Sequence, residues 1–386
     1  MNADFDRIID RRGTNCVKWD LIPEGVLPMW VADMDFAAPE FVRKAVCERA
    51  AHGVYGYNIV PSAYHESLCN WLHDRHGWRP DPSWVVDTIG VVPAIAACLK
   101  AFTQPGDKVL LMSPIYNCFF SCIRNYGCEL VDVPLKTVDG PRYVIDFEAL
   151  EAAAPGVKVM LVCSPHNPAG RVWSRDELAR VADICLRHGI IPVCDEIHCE
   201  FTMPGQEFVP FASISPEVEE KSVILYAGSK AFNIAGLQLA AIIAKDPGHR
   251  AAVDKAININ ETCDVNPFGI VAAMAAYSRQ GSQWLDELNK YVYANYLSLR
   301  EALSPLPGFS LYELEGTYLA WLDIRCLGMP SADVEKTLET VEKVRVNAGS
   351  MYGKEGFLRI NLACPAPMCQ EGIRRIVAGL KRLISK

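Results

Sequence analysis

Four unbroken apolar runs, each ending in small or chemically active residues, constrain this chain more than any other feature. Lys108-Val109-Leu110-Leu111-Met112 leads into Ser113-Pro114-Ile115-Tyr116, and Val159-Met160-Leu161-Val162-Cys163 leads into Ser164-Pro165-His166-Asn167-Pro168-Ala169-Gly170. Ile190-Ile191-Pro192-Val193-Cys194 leads into Asp195-Glu196-Ile197-His198, and Val223-Ile224-Leu225-Tyr226-Ala227 into Gly228-Ser229-Lys230. Apolar runs of this length, alternating with helical stretches, predict parallel strands covered on both faces. Ligands of such sheets bind outside the carboxyl ends of the strands. Tyr116, Asn167, Asp195 and Lys230 are therefore expected to converge on one crevice.

Helical patterns lie between the runs. Ser174 followed by Glu177 forms a capping box, leucine and valine recur after it at helical spacing, and Gly189 marks the end. A second helix is expected over roughly Ser62 to His76, with Tyr64, Leu68, Trp71 and Leu72 on one face and Gly77 after it. Beyond Gln280 the texture changes. A long amphipathic helix from about Trp284 to Leu303 precedes two shorter runs, Thr317 to Ile324 and Phe357 to Leu362, which read as half-exposed strands.

At 386 residues, half of them apolar, the chain can bury a large core and is long enough for two domains. A formal charge of −8 and the absence of a basic run argue against nucleic acid or an anionic membrane surface as partner. The fifteen cysteines are scattered, form no CxxC pair and fall partly inside apolar runs, so most are read as buried free thiols in a reducing cytoplasm, with no metal site. The first residues lack a signal-peptide core, and no stretch approaches the roughly 18 apolar residues of a membrane span.

Lys230 carries the strongest chemical signal. A lysine in a turn is ordinarily a solvated surface residue, but one held among small residues at a buried strand tip is partly desolvated, which lowers its pKa towards neutrality. A neutral amine forms a Schiff base with an aldehyde and accepts protons.

Around Lys230 the chain carries further motifs: Pro28-Met29-Trp30-Val31-Ala32-Asp33-Met34-Asp35-Phe36, Tyr55-Gly56-Tyr57, Gly90-Val91-Val92-Pro93-Ala94, Asn167-Pro168-Ala169-Gly170, Asp195-Glu196-Ile197-His198 and Phe357-Leu358-Arg359-Ile360-Asn361. In this order they resemble the pyridoxal-phosphate enzymes of the aspartate-aminotransferase fold, and within them the cystathionine beta-lyase (C-S lyase) group of the MalY/PatB kind. The resemblance runs through nearly the whole chain. It implies a three-layer α/β/α large domain with a mostly parallel mixed sheet, covering residues 50–280, and a smaller α+β domain built from residues 1–49 and 281–386.

The resemblance also implies roles. Lys230 tethers pyridoxal 5'-phosphate and then serves as base for the substrate α-proton. Asp195 pairs with the ring nitrogen, Asn167 and His198 address the ring hydroxyl, and Tyr116 covers the ring face. The backbone amides of Ala94 and Ile95 hold the phosphate together with Ser229, while Tyr57 reaches in from a second subunit of a homodimer. Arg359 grips the substrate α-carboxylate, with Ala32, Asn167 and Tyr116 lining the same pocket. Two departures stand out: Gln238 replaces an arginine that many relatives place eight residues after the lysine, and Asn117 stands where some carry a second tyrosine.

The reaction so implied is α,β-elimination of L-cystathionine or a related cysteine S-conjugate to pyruvate, ammonia and a thiol. The alternative is transamination between an L-amino acid and a 2-oxo acid on the same scaffold. A non-catalytic regulator that binds the cofactor as a ligand is disfavoured by the presence of both Lys230 and Arg359 and by the lack of spare length for a DNA-binding domain.

Overall fold

The computed structural model describes residues 4–138 and 140–385; residues 1–3, the start of the segment read above as lacking a signal-peptide core, lie outside them. Among the described residues, seven strands form the main sheet: β1 (Val85–Thr88), β2 (Lys108–Leu111), β3 (Glu129–Asp132), β4 (Val157–Cys163), β5 (Ile191–Asp195), β6 (Val223–Tyr226) and β7 (Ala240–Ala244). Their spatial order is β1-β7-β6-β5-β4-β2-β3. Only β7 runs against the rest, pairing antiparallel with both β1 and β6, so the sheet is mixed but mostly parallel, as expected.

The apolar runs are buried on both faces because alternate residues serve different layers. Val109, Leu111, Val159, Leu161, Val193 and Leu225 face helices Val91–Phe102, Asn117–Asn125 and Pro247–Asn258. Their neighbours Leu110, Met160, Val162, Cys194 and Ile224 belong to a larger apolar cluster that includes Leu178 and Val181 of helix Arg175–His188. Period-two alternation therefore vanishes from the sequence, since both sides are apolar. Helix Arg175–His188 begins with the expected reciprocal Ser174–Glu177 capping box and ends at Gly189 in the left-handed region. Helix Ser62–His76 ends likewise at Gly77.

A second, antiparallel sheet comprises β8 (Ser310–Leu311), β9 (Leu319–Asp323), β10 (Asn347–Ala348) and β11 (Phe357–Asn361) in the order β8-β9-β11-β10. The long helix starts at Arg279, earlier than its apolar pattern suggests, because the Ser278 hydroxyl caps it by accepting from the Gly281 amide. Both β9 and β11 are buried throughout, which corrects the half-exposed reading. Their polar residues do not face water: Arg359 and Asn361 turn inward to hold the N-terminal segment. That segment joins this sheet's surroundings directly, since Leu27–Pro28 pairs in parallel with Val344–Arg345 and the Asn361 amide donates to Met29 O at 2.9 Å.

Candidate active site

The carboxyl ends of the parallel strands open onto a cavity of about 200 Å³. Strand β2 delivers Tyr116 to it, β4 delivers Asn167, β5 delivers Asp195 and His198, and β6 delivers Ser229 and Lys230. Gly90 to Pro93, following β1, close one side, and Ala32 of the N-terminal segment closes another. The predicted convergence is thus present. A larger groove of about 650 Å³ between helices Arg279–Leu303 and Ala366–Ile384, floored by Ala302, Ile373 and Val377, gathers no comparable chemistry.

Lys230 lies in the turn after β6, where Phe232 N donates to Gly228 O and Ile234 N donates to Ser229 O, both at 3.0 Å. Gly228 is required here: a Cβ would sit 3.0 Å from the Tyr277 ring, whose hydroxyl accepts from the Gly228 amide. The ε-amine donates to the Ala32 carbonyl at 2.7 Å. Desolvation lowers its pKa to about 8; the cation of Arg359 pushes the same way, and the carboxylates of Asp33 and Asp195 oppose.

Asp195 is buried, and the Ile197 amide donates to its Oδ1 at 3.1 Å. Burial raises its pKa to about 6, with the Ile197 amide and Lys230 pulling it back. A buried carboxylate so thinly compensated suits a cationic ring nitrogen. His198 is buried as well; desolvation, then Lys230 and Arg359, push it down to about 3, so its imidazole is neutral. Its Nδ1 has no partner among the described residues, leaving a hydrogen-bonding position for a ligand hydroxyl. Burial also keeps the Tyr116 phenol neutral by raising its pKa. These features fit pyridoxal phosphate: an under-compensated carboxylate, an unpaired neutral imidazole and a partly desolvated amine face one cavity.

Next to Asp195, Glu196 is buried with its Oε1 accepting from Phe211 N at 2.8 Å. Desolvation raises its pKa to about 8. A carboxyl held neutral in the fold binds a proton that the unfolded chain releases near pH 4.5, so its stabilisation is full below that pH and is lost as pH rises towards 8. Glu196→Gln keeps the acceptor and cannot ionise. Its unfolding free energy should match the parent's near pH 4.5 and exceed it increasingly up to pH 8, a gap on the order of a few kcal/mol by linkage; a constant gap across that range would refute the assignment.

Arg359 is buried on β11. It donates through Nη1 to Asn167 Oδ1 at 3.3 Å and through Nη2 to Trp30 O at 2.8 Å, and its guanidinium lies 4.6 Å from the Tyr352 ring centroid. Its Nε has no partner among the described residues. The site therefore places an arginine with spare donor capacity beside Asn167. Tyr352 and Asn347, which donates to both Trp30 O and the Tyr352 hydroxyl at 2.9 Å, were not singled out in the sequence. Nor was Tyr318, whose hydroxyl donates to Ala32 O at 2.8 Å. Burial of polar groups in a short strand region leaves no periodic signature. The Ala32 carbonyl, already an acceptor, would repel a carboxylate, so Ala32 can meet a substrate only through its amide or methyl.

The phosphate reading needs correction. The Ala94 amide donates to Gly90 O at 3.0 Å, closing the first turn of helix Val91–Phe102, and Ile95 lies one residue deeper in the same helix. Both are buried away from the cavity lining. The amides left over at a helix start are the first ones, here Val91 and Val92, since Pro93 has none and Gly90 provides no side-chain cap. Ser229 does line the cavity. Gln238 is exposed outside it, and Asn117 heads its helix beside Tyr116 without lining it. Tyr57 is 103% exposed and contributes nothing to the cavity of its own chain.

Nine cysteines are buried and all fifteen are free. Among the described residues His76, Cys199 and Glu200 bring ligand atoms within 4.8 Å of one another. The Glu200 carboxylate, however, already accepts from Trp71, Arg75, His76 and Tyr226, and the Arg75 guanidinium supplies the positive charge a cation would bring. No helix among the described residues is long and apolar enough to cross a membrane.

The model of the class I and II aminotransferase family matches residues 25–376. The chain is 40% identical to cystathionine beta-lyase PatB of Bacillus subtilis, over 98% of this chain and all of that protein. It is 32% identical to protein MalY of Escherichia coli, covering 98% of this chain and 99% of MalY. Its structure superposes on that of cystalysin from Treponema denticola, which contains pyridoxal 5'-phosphate, with a TM-score of 0.95 at 34% identity over 99% of this chain and all of the other. The chain belongs to the class I and II aminotransferase family, in the group that holds PatB and MalY.

Proposed function

We propose that this protein is a pyridoxal-phosphate-dependent carbon–sulfur β-lyase that eliminates the thiol from L-cystathionine or a related cysteine S-conjugate, giving pyruvate, ammonia and the thiol. The observation that carries this reading is the meeting of Lys230, Asp195 and Arg359 around one cavity, in a chain similar over its whole length to a cystathionine beta-lyase. That similarity favours elimination over transamination.

When bound, the cofactor supplies an electrophilic aldehyde and a ring that takes up the electron pair left at the substrate α-carbon. The side chains do the rest. Lys230 provides the amine for the aldehyde and, once free, the base that removes the α-proton. Asp195 keeps a proton on the ring nitrogen, His198 and Asn167 address the ring hydroxyl, and Tyr116 covers the ring. Val91 and Val92 amides with Ser229 hold the phosphate. Arg359 would grip the α-carboxylate and so fix the orientation of the substrate's α-carbon in the cavity.

Residues 50–280 form the large domain in this reading, with 1–49 and 281–386 as the small one; the separate sheets of 85–244 and 310–361, and the pairing of Leu27–Pro28 with Val344–Arg345, support that division. Free thiols throughout suit a reducing cytoplasm. The full exposure of Tyr57, with Val54, Tyr55 and Ile59 also exposed, supports a homodimer in which Tyr57 enters the partner's site. Tyr57→Ala should then lower cofactor affinity about tenfold, as loss of a charge-assisted hydrogen bond would. Sedimentation of a fully active monomer would contradict the arrangement.

The deciding assay is pyruvate release from L-cystathionine by the cofactor-loaded protein with no keto acid present. Catalytic pyruvate with an equal amount of free thiol supports β-elimination. No pyruvate from any cysteine conjugate, but amino transfer on adding 2-oxoglutarate, would overturn it in favour of transamination.

A further inference from the structure

The segment from Trp30 to Asp33 has every carbonyl engaged by a side chain. Val31 O and Asp33 O both accept from Asn361 Nδ2, at 2.6 and 2.8 Å, and Asp33 O also accepts from the buried Lys18 ammonium at 2.9 Å. The other two carbonyls of the segment face the reactive cations. Trp30 O takes Arg359 and Asn347, and Ala32 O takes Lys230 and Tyr318. Each of these two oxygens thus pairs one cation with one fixed neutral donor, filling both lone pairs.

At Ala32 the fixed donor is exceptionally well held. The Tyr318 ring is fully buried, 4.7 Å from the Phe201 centroid and 5.9 Å from His198 in edge-on packing. We propose that the Ala32 carbonyl, fixed by the Tyr318 hydroxyl, is the cradle that receives the Lys230 ε-amine whenever it is free of the cofactor, which makes Tyr318 a positioning residue for the base. Its catalytic consequence rests on the β-lyase reading; the cradle itself does not.

A primary amine that gives one N–H to Ala32 O has its lone pair directed elsewhere, free to accept a proton, and the long side chain is kept from wandering. Tyr318 also limits how strongly the oxygen can favour the ammonium form, because a carbonyl already accepting from a phenol is a weaker partner for a cation, whose hydrogen bonds are the stronger kind. Other groups facing the amine are Asp33 from the N-terminal segment, Asp195 from β5, Arg359 from β11 and Cys118 from helix Asn117–Asn125. The neutral His198 stands nearby. The Tyr318 hydroxyl donates to Ala32 O and not to any of these groups.

Tyr318→Phe retains the ring packing and deletes that hydroxyl. Capture of pyridoxal phosphate by the apoprotein, followed by absorbance, requires the neutral amine. Its pH dependence in Tyr318→Phe should move to higher pH by about half to one unit, giving capture about 3- to 10-fold slower at pH 7. For the loaded enzyme, kcat for pyruvate release should fall with KM changed less than about twofold, as expected for a group that acts on the base rather than on substrate binding. Tyr318→Leu, which also lacks the hydroxyl, must shift the capture profile in the same direction. Capture profiles of both variants superimposed on the parent's would overturn the cradle, whether or not the parent eliminates thiol. A shifted capture profile in a protein that releases no pyruvate would leave the cradle standing and remove the β-lyase reading.

Discussion

Lys230→Ala is expected to cut pyruvate formation from L-cystathionine by at least about 10³-fold, because in the proposed mechanism it removes both the covalent tether and the base, the latter alone being worth about 10² to 10⁴. The absorbance of the covalent link between lysine and cofactor should vanish with it. The expectation follows from placement: the amine stands within a cavity that also presents Asp195 and His198, and its pKa, brought down to about 8, leaves a sizeable neutral fraction near physiological pH. The fold should survive, since the amine donates its hydrogen bond to Ala32 O, which keeps Tyr318 as donor. A variant that still released pyruvate at the parent's rate would remove Lys230 from the mechanism.

Arg359→Lys should raise KM for the amino-acid substrate about 10- to 100-fold, the loss of a charge-assisted bidentate contact worth about 1.5–3 kcal/mol, while cofactor affinity changes little. Lysine retains the charge but not the fork. Its single ammonium nitrogen cannot present two parallel N–H groups to a carboxylate, and it loses the guanidinium contact over the Tyr352 ring. Titration of the loaded protein with substrate, alongside titration of the apoprotein with pyridoxal phosphate, separates the two affinities. An unchanged KM would assign the substrate carboxylate to some other group.

What the sequence made legible follows one rule: a pattern is readable when its periodicity or its punctuation belongs to one local element. The unbroken runs announced β2, β4, β5 and β6 because both faces of the sheet are apolar, and Ser174, Gly77 and Gly189 announced helix ends through local capping chemistry. Lys230, Asp195, Asn167, His198 and Tyr116 could be expected to share one cavity, as they do, because each follows such a run. By contrast β9 and β11 read as half-exposed, since Arg359 and Asn361 look like solvent-facing members of an alternating strand. Their partners, Trp30 to Asp33, lie some 330 positions away, so nothing local could reveal the burial. Tyr318 and Asn347 escaped for the same reason. That the Ala94 amide is already spent on Gly90 O, leaving the Val91 and Val92 amides without a helical partner, was equally hidden, because only backbone hydrogen bonds fix where that helix starts.

The distance in sequence between the N-terminal segment and its anchors has a bearing on how the protein is made. Ala32 leaves the ribosome early, Lys230 midway, and Asn361, which pins the carbonyls on either side of Ala32, only among the last few dozen residues. While the chain is still being synthesised, the main sheet can form around Lys230, yet the wall that orders its amine cannot close. A chain cut short before residue 361 lacks the side-chain amide that pins Val31 O and Asp33 O, the two carbonyls flanking the one that meets the Lys230 amine.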